Sequence, residues 1–292
     1  MSAELPYVSA IWRYPVKSMA GESLELARLD ADGMRGDRIW AVRDEELDAI
    51  ADARRNARLL GLTARYTRPI SAADPVPPVE ITLPDGRTFR STDADAHELA
   101  AEILGRPATL HARRPAGDQA YYRRPAPEDG DWQTWLEQLF GVETGAELPD
   151  LGALPPVLWE SQTLPGTHFD AFPLMAVTDR TLESLRKLSP GSDADVRRFR
   201  PNLVISVPEE VEGDFPELAW VGREVQIGTA VLRIESACPR CVMISHPVPL
   251  ADLPADRALL RTVHAKTGHN VGVYASVVRP GVLGLDDAVA VR

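Results

Sequence analysis

Both cysteines of the chain fall in one four-residue segment, Cys238-Pro239-Arg240-Cys241, directly after a predicted strand. A thiolate is a nucleophile and a ligand for soft metals, so this segment could carry chemistry. Four readings compete. A zinc site would recruit His264 and His269, giving C-x2-C-x22-H-x4-H. Its outer spacings suit zinc, but a finger keeps about 12 to 15 residues between its pairs. A thioredoxin-like dithiol needs a helix N-terminus in a βαβ context. Here Val242-Met243-Ile244 reads as extended, and Pro247 and Pro249 follow. The bland reading is two small buried hydrophobes; the arginine between the thiols weakens it. The fourth is a single thiolate on a soft metal-centred cofactor. The adjacent Arg240 would lower the thiol pKa and offer a fork to an anionic group.

Other basic residues sit at predicted strand ends. Lys17 and Ser18 close Tyr14-Pro15-Val16-Lys17-Ser18, and Arg38 lies in Gly36-Asp37-Arg38-Ile39-Trp40. Arg200-Pro201-Asn202 precedes a further strand, with Arg197 and Arg198 just upstream. Lys, Ser and Arg side chains converging on a barrel mouth would make an anion cradle. Lys17 is one of only three lysines, with Lys187 and Lys266, in a chain of 32 basic residues. Its retention invites a role.

The elements that must hold these residues are mostly strands. Tyr7 to Tyr14 and Arg38 to Arg43 are rich in β-branched and aromatic residues. Val79, Ile81 and Leu83 alternate before Asp85-Gly86, which predicts a type I′ hairpin. Ala96 to Leu104 predicts a helix closed by Gly105, and Asp131 caps another over Trp132 to Phe140, ended by Gly141. Thr178 caps a third, through Leu182, Leu185 and Leu188 to Pro190-Gly191. Strands follow at Leu203 to Val207, Glu224 to Ile227 and Ala230 to Ser236, the last two joined by Gly228-Thr229. A helix from about Leu253 to His264 and strands at Val271 to Val278 and Val289 to Val291 complete the chain. Many short strands with a few helices predict an α+β fold with a β-barrel-like domain, not a doubly wound sheet.

A length of 292 residues suits about two domains. The balance of 32 basic against 43 acidic side chains, net −11, argues against a nucleic-acid or membrane-surface binder. The loop carrying Arg113, Arg114, Tyr121, Tyr122, Arg123 and Arg124 could contact nucleic acid or dock an acidic electron-transfer protein; acidic neighbours and the net charge disfavour the former. Two cysteines exclude a disulfide scaffold and an internal iron–sulfur domain. There is no apolar run of about 18 residues and no signal-peptide pattern, which predicts a cytoplasmic protein of bacterial type with reduced thiols.

Four motifs then carry a family resemblance: Y-P-V-K-S at Tyr14 to Ser18, G-x-x-x-D-R-x-W at Gly33 to Trp40, F-R-P-N at Phe199 to Asn202, and C-x-R-C at Cys238 to Cys241. With N-x-G-x-Y at Asn270 to Tyr274 and R-P-G at Arg279 to Gly281, nearly the whole chain resembles MOSC (molybdenum-cofactor sulfurase C-terminal domain) proteins with an N-terminal MOSC β-barrel domain. It is similar to the amidoxime-reducing component and its bacterial relatives. The resemblance implies a MOSC N-terminal β-barrel domain over 1–125, a MOSC domain over 126–292, and a molybdenum cofactor (molybdopterin). It implies Cys241 as the thiolate on molybdenum, with Lys17, Ser18 and Arg38 on the pterin phosphate. Arg200, Asn202 and Arg240 would hold the pterin and the metal surroundings, with Tyr274 nearby, and Cys238 would pack in support. Two departures, Ile244-Ser245 after the ligand segment and Phe172 in Asp170-Ala171-Phe172-Pro173, fall near the expected substrate side. The implied activity is reduction of N-hydroxylated or related oxo compounds by oxygen-atom transfer. The electrons would come from a separate ferredoxin- or flavoprotein-type donor. His168, His246 and His269 are proton-donor candidates by residue type alone. The competing functions are a sulfur carrier using a Cys241 persulfide and a non-catalytic cofactor carrier.

Overall fold

Alternating apolar residues pair into strands wherever one face can be buried. In the computed structural model, which describes residues 5–127 and 130–292, these strands build a mixed α+β fold of one large sheet, three small sheets and six short helices among the described residues. The large sheet has eight strands. From one edge they run Val289–Val291, Glu224–Ile227, Ala230–Pro239, Asn270–Arg279, Leu174–Thr178, Leu203–Ser206, Tyr7–Arg13 and Glu22–Leu24. The single parallel pair, Leu174–Thr178 with Leu203–Ser206, is bridged by the Asp179–Leu188 helix. Thr178 caps that helix by accepting from Thr181 N, as its position predicts. The Leu174–Thr178 strand is buried along its whole length and therefore shows no alternation, which hid it from a period-two reading.

Three larger apolar cores and a small fourth one, of Ala41, Ile50, Tyr121 and Tyr122, hold the sheets among the described residues. One face of the large sheet buries Val8, Ile11, Leu174, Leu203 and Val273. Its other face packs Val177, Val204 and Cys238 against Leu185, Phe199 and Val263 of the helices. A separate cluster of Val16, Met19, Leu59, Ile81 and Phe89 fills the small sheets of the first half. Strand Tyr7–Arg13 pairs with Leu203–Ser206, and Leu26–Asp30 pairs with Gly281–Gly284, so the chain's beginning is sewn into its end.

Several local expectations are corrected. The Val79–Thr82 and Thr88–Arg90 hairpin does not turn through a type I′ pair, because Pro84 fixes a negative φ. Its loop spans three residues, with only Gly86 left-handed (φ +87°). The last helix begins at Arg257, after Pro254, with Asp256 accepting from Leu259 N at 2.9 Å. Val242–Ser245 is a 3-10 turn, not a strand. The arginine-rich loop contains a one-turn helix, Gln119–Tyr122, that buries both tyrosines. No helix among the described residues is long and apolar enough to cross a membrane.

Candidate active site

Five segments end around one cleft. Lys17 and Ser18 follow the first strand, Arg38 precedes Trp40–Asp44, and Arg200 joins the Val196–Phe199 turn to Leu203–Ser206. Arg240 and Cys241 end Ala230–Pro239, and Tyr274 reaches in from Asn270–Arg279. All seven of these sequence-predicted residues line the same cleft, which encloses about 1310 Å³ of empty space with its open mouth included.

Asn202 does not line it. Fully buried, it accepts from Met175 N and donates to Trp12 O, each at 3.2 Å, and so ties together the three strands beneath Arg200. The three histidine candidates are absent from the lining as well. His168 is bound on both ring nitrogens, to the Arg38 carbonyl and the Tyr121 hydroxyl at 3.1 Å each, and burial pushes it down to about 3. His246 Nε2 meets the Arg54 carbonyl at 3.2 Å, and His269 stacks on His264 with centroids 4.4 Å apart. Among the described residues, no group of three His, Cys, Asp or Glu side chains gathers as a metal site, so the zinc reading of Cys238, Cys241, His264 and His269 fails.

The cations are held by a layered scaffold. Lys17 Nζ donates to the His168 carbonyl at 3.0 Å and to Asp170 Oδ1 at 2.7 Å. Burial pushes the lysine down against the pull of Asp170. Burial would raise Asp170, but Lys17, Arg54 and Arg38 outweigh it and hold the carboxyl well below the usual range. That carboxylate still faces the open cleft, with 52% of its side chain accessible. Tyr14 lies between two arginines: the Arg200 guanidinium is 4.2 Å from its ring centroid and the Arg38 guanidinium 5.2 Å. Burial pushes Arg200 down to about 10.

Sequence reasoning missed Arg54, Arg124, Asp52 and the reach of Asp170. Arg54 and Asp52 lie in the charge-dense run 52–58, where no motif marks a site; Asp52 and Arg54 pair at 2.6 Å on the cleft. Arg124 turns inward from its loop. Of its neighbours, Arg113 binds Asp32 and Arg114 binds Asp118, while Tyr121 and Tyr122 are buried. Arg123 keeps 70% of its side chain exposed, 3.7 Å from Asp48, so the loop retains an exposed cation but presents no stacking face.

Cys241 is half-buried in the lining, and Cys238 is buried beneath it. Cys238 Sγ accepts from Arg240 Nη1 at 3.0 Å, while Arg240 Nη2 donates to the Phe199 carbonyl at 2.7 Å. Cys238 thus aims the guanidinium. Burial pushes the Cys241 thiol up; Arg54, and Arg240 after it, pull it back without overcoming burial. Arg240 lowers it, as expected of an adjacent arginine, but the net shift is upward because burial outweighs both guanidiniums.

The lining carries six cations against the two carboxylates of Asp52 and Asp170. Arg200 Nη2 and Arg240 Nε are buried there without a hydrogen-bond partner. Buried donors of this kind require a partner, and a surplus of cations requires an anion. With one thiol between them, the residues fit an anionic, soft-metal cofactor.

The chain has counterparts among known protein families. The MOSC N-terminal beta barrel domain family matches residues 5–120, and the MOSC domain family matches residues 165–290. The chain belongs to the MOSC proteins that carry this N-terminal domain. It is 26% identical over 309 residues to mitochondrial amidoxime reducing component 2 of Homo sapiens, covering 97% of this chain and 82% of that protein. It is 24% identical over 307 residues to the Bos taurus protein of the same name, with the same coverage. The YUAD protein of Bacillus subtilis, at 10% identity, aligns over 99% of this chain and 96% of its own with a TM-score of 0.46.

Proposed function

We propose that this chain is a molybdenum-cofactor-dependent reductase of N-hydroxylated compounds. One observation carries the reading: unpartnered buried guanidinium donors and a surplus of cations surround a single thiol in one cleft. The names of the relatives point the same way. Cys241 is the protein ligand to the metal. Lys17, Ser18 and Arg38 hold the cofactor phosphate. Arg200 and Arg240 supply their free N–H groups to the pterin and the metal surroundings, and Tyr274 borders the reacting position. Asn202 is a positioning residue, fixing the backbone under Arg200. We divide the chain into an N-terminal domain over 1–125 and a MOSC domain over 126–292.

When bound, the cofactor supplies two-electron oxygen-atom transfer. The protein binds it, orients the substrate and delivers protons. Overall, an N–OH group gains two electrons and two protons, the N–O bond breaks, and an N–H group and water leave. With the histidines committed elsewhere, the proton carriers on the lining besides the guanidiniums, the Ser18 hydroxyl and the Cys241 thiol are Lys17 Nζ, which burial pushes down, and the Tyr274 hydroxyl, whose pKa burial raises well above the ordinary value. The electrons come from a separate donor protein.

The test is turnover of an aromatic amidoxime to its amidine by protein from a cofactor-producing host, with reduced methyl viologen as electron source. Wild type turns over, and Cys241→Ser falls by at least about a hundredfold. Loaded wild-type protein without turnover would contradict the reading. A persulfide on Cys241 in place of metal would favour sulfur transfer.

A further inference from the structure

The cleft has two kinds of lining, and they come from different parts of the chain. Every charged side chain on it lies outside residues 132–159. That segment contributes only apolar ones, including Trp135, Leu139, Leu151, Leu154, Leu158 and Trp159. Its own acidic residues, such as Glu137, Glu143 and Glu147, are absent from the lining. A pterin and a phosphate need several hydrogen-bond donors, and beyond the two indole N–H groups of Trp135 and Trp159 the lining side chains of this segment offer none.

The apolar lining is built rather than incidental. Asp131 caps the Trp132–Phe140 helix through Thr134 N, and left-handed Gly141 ends it. Trp132 packs its ring edge-on against both Trp135 and Trp159, with centroids 5.5 and 6.3 Å away. Arg124 spends its donors on the same segment and its border. Its Nε donates to the Leu158 carbonyl at 2.8 Å and its Nη2 to the Ser161 carbonyl at 3.0 Å. Its guanidinium rests 5.0 Å from the Trp135 ring centroid. A cation beside the cleft is thus used to fix an apolar surface in place. Trp159 remains 50% exposed, an unusual cost for an indole unless something covers it. Phe172, stacked 5.4 Å from Tyr274, continues the apolar lining toward the reacting end.

We propose that residues 132–159 form a substrate subsite that selects N-hydroxylated compounds with a flat aromatic body. Trp135 and Trp159 set the specificity, and Arg124 is the positioning residue. This rests on the reductase reading for the identity of the polar head. The N–OH group points to Cys241 and Tyr274 while the ring stacks along the tryptophans, where aromatic contact adds to area burial. A small polar N-hydroxyl compound reaches the same head position but leaves the subsite wet.

The experiment compares benzamidoxime with acetamidoxime on the cofactor-loaded protein. Calorimetric dissociation constants and kcat/KM with reduced methyl viologen are measured for wild type, Trp135→Ala, Trp135→Phe and the half-exposed Trp159→Ala. We expect each Trp→Ala change to cut the benzamidoxime-to-acetamidoxime ratio, in both affinity and kcat/KM, by about tenfold, and Trp135→Phe to restore most of it. Arg124→Gln should lower the same ratio without changing molybdenum content. An unchanged ratio in both Trp→Ala variants would overturn the subsite, as would an equal loss for both compounds. If loaded wild type turns over neither compound, the reductase reading fails, and the calorimetric ratio still decides the subsite.

Discussion

Ser18, Arg38 and Arg200 hold left-handed backbone angles (φ 68°, 49° and 55°) that side chains other than glycine avoid. Each costs on the order of 1–3 kcal/mol and persists where the surroundings impose it. Arg38 N donates to the Tyr14 carbonyl at 2.6 Å, Arg200 N to the Val196 carbonyl at 3.0 Å, and Ser18 Oγ accepts from Ala53 N at 2.9 Å. Four other residues, Asp48, Asp252, His269 and Asp286, take the same angles away from the cleft, so the angle alone marks no site; at Ser18, Arg38 and Arg200 it falls on residues that line the cleft. Arg200→Gly should therefore leave the cofactor-free protein as stable as wild type, or about 1 kcal/mol more stable, in urea titration while lowering pterin content. A loss above about 2 kcal/mol would show that Arg200 serves the fold. His168 makes a second prediction. Its folded pKa of about 3 lies below the unfolded value of about 6.5. The unfolded chain then binds the extra proton, so stability is full above about pH 6.5 and falls below it by roughly 1.4 kcal/mol per pH unit. His168→Gln should flatten the slope of unfolding free energy between pH 4 and 6; an unchanged slope would show that His168 is not buried neutral.

At the scale of elements, residue types with fixed physical demands were readable. Asp131, Thr178, Gly105 and Gly141 mark helix ends by capping chemistry, and the structure has them at those ends. Strands buried on both faces, such as Leu174–Thr178, were not readable because their pattern lacks a period. The cations on motif strands were readable as a group; Arg54 and Arg124 were not, because a surface-like charge run gives no sign that the fold turns it inward. Gly272 shows what one element needs. It sits inside the Asn270–Arg279 strand at φ +74°, and a Cβ there would meet the Ala176 carbonyl oxygen at 2.5 Å as well as Met175. Both the angle and the close approach demand glycine, two residues before Tyr274. Gly272→Ala should lower stability by about 2 kcal/mol or more and displace Tyr274, read as a fall in Tm. A Tm unchanged within error would mean the strand tolerates the side chain.

At the scale of the whole molecule, the α+β class was legible from many short strands and few helices, but the wiring was not. Pairing of Tyr7–Arg13 with Leu203–Ser206 joins residues nearly 200 positions apart, and no local pattern encodes it. This wiring brings Lys17 and Arg38 onto the same cleft as Arg200 and Cys241. It also predicts that residues 126–292 alone, lacking Tyr7–Arg13 and Leu26–Asp30, will not unfold cooperatively by circular dichroism; a sharp melt would refute that dependence. The net charge of −11 gives no hint of the cation surplus in the cleft, which appears only when distant segments meet. The most direct test of the central claim is metal analysis. Wild type and Cys241→Ser are purified from a host that makes molybdenum cofactor, and molybdenum and pterin are measured per chain. The cleft described here requires close to one of each in wild type and strongly reduced molybdenum in Cys241→Ser. Wild-type protein with neither, or Cys241→Ser with undiminished molybdenum and an unchanged paramagnetic signal, would contradict it.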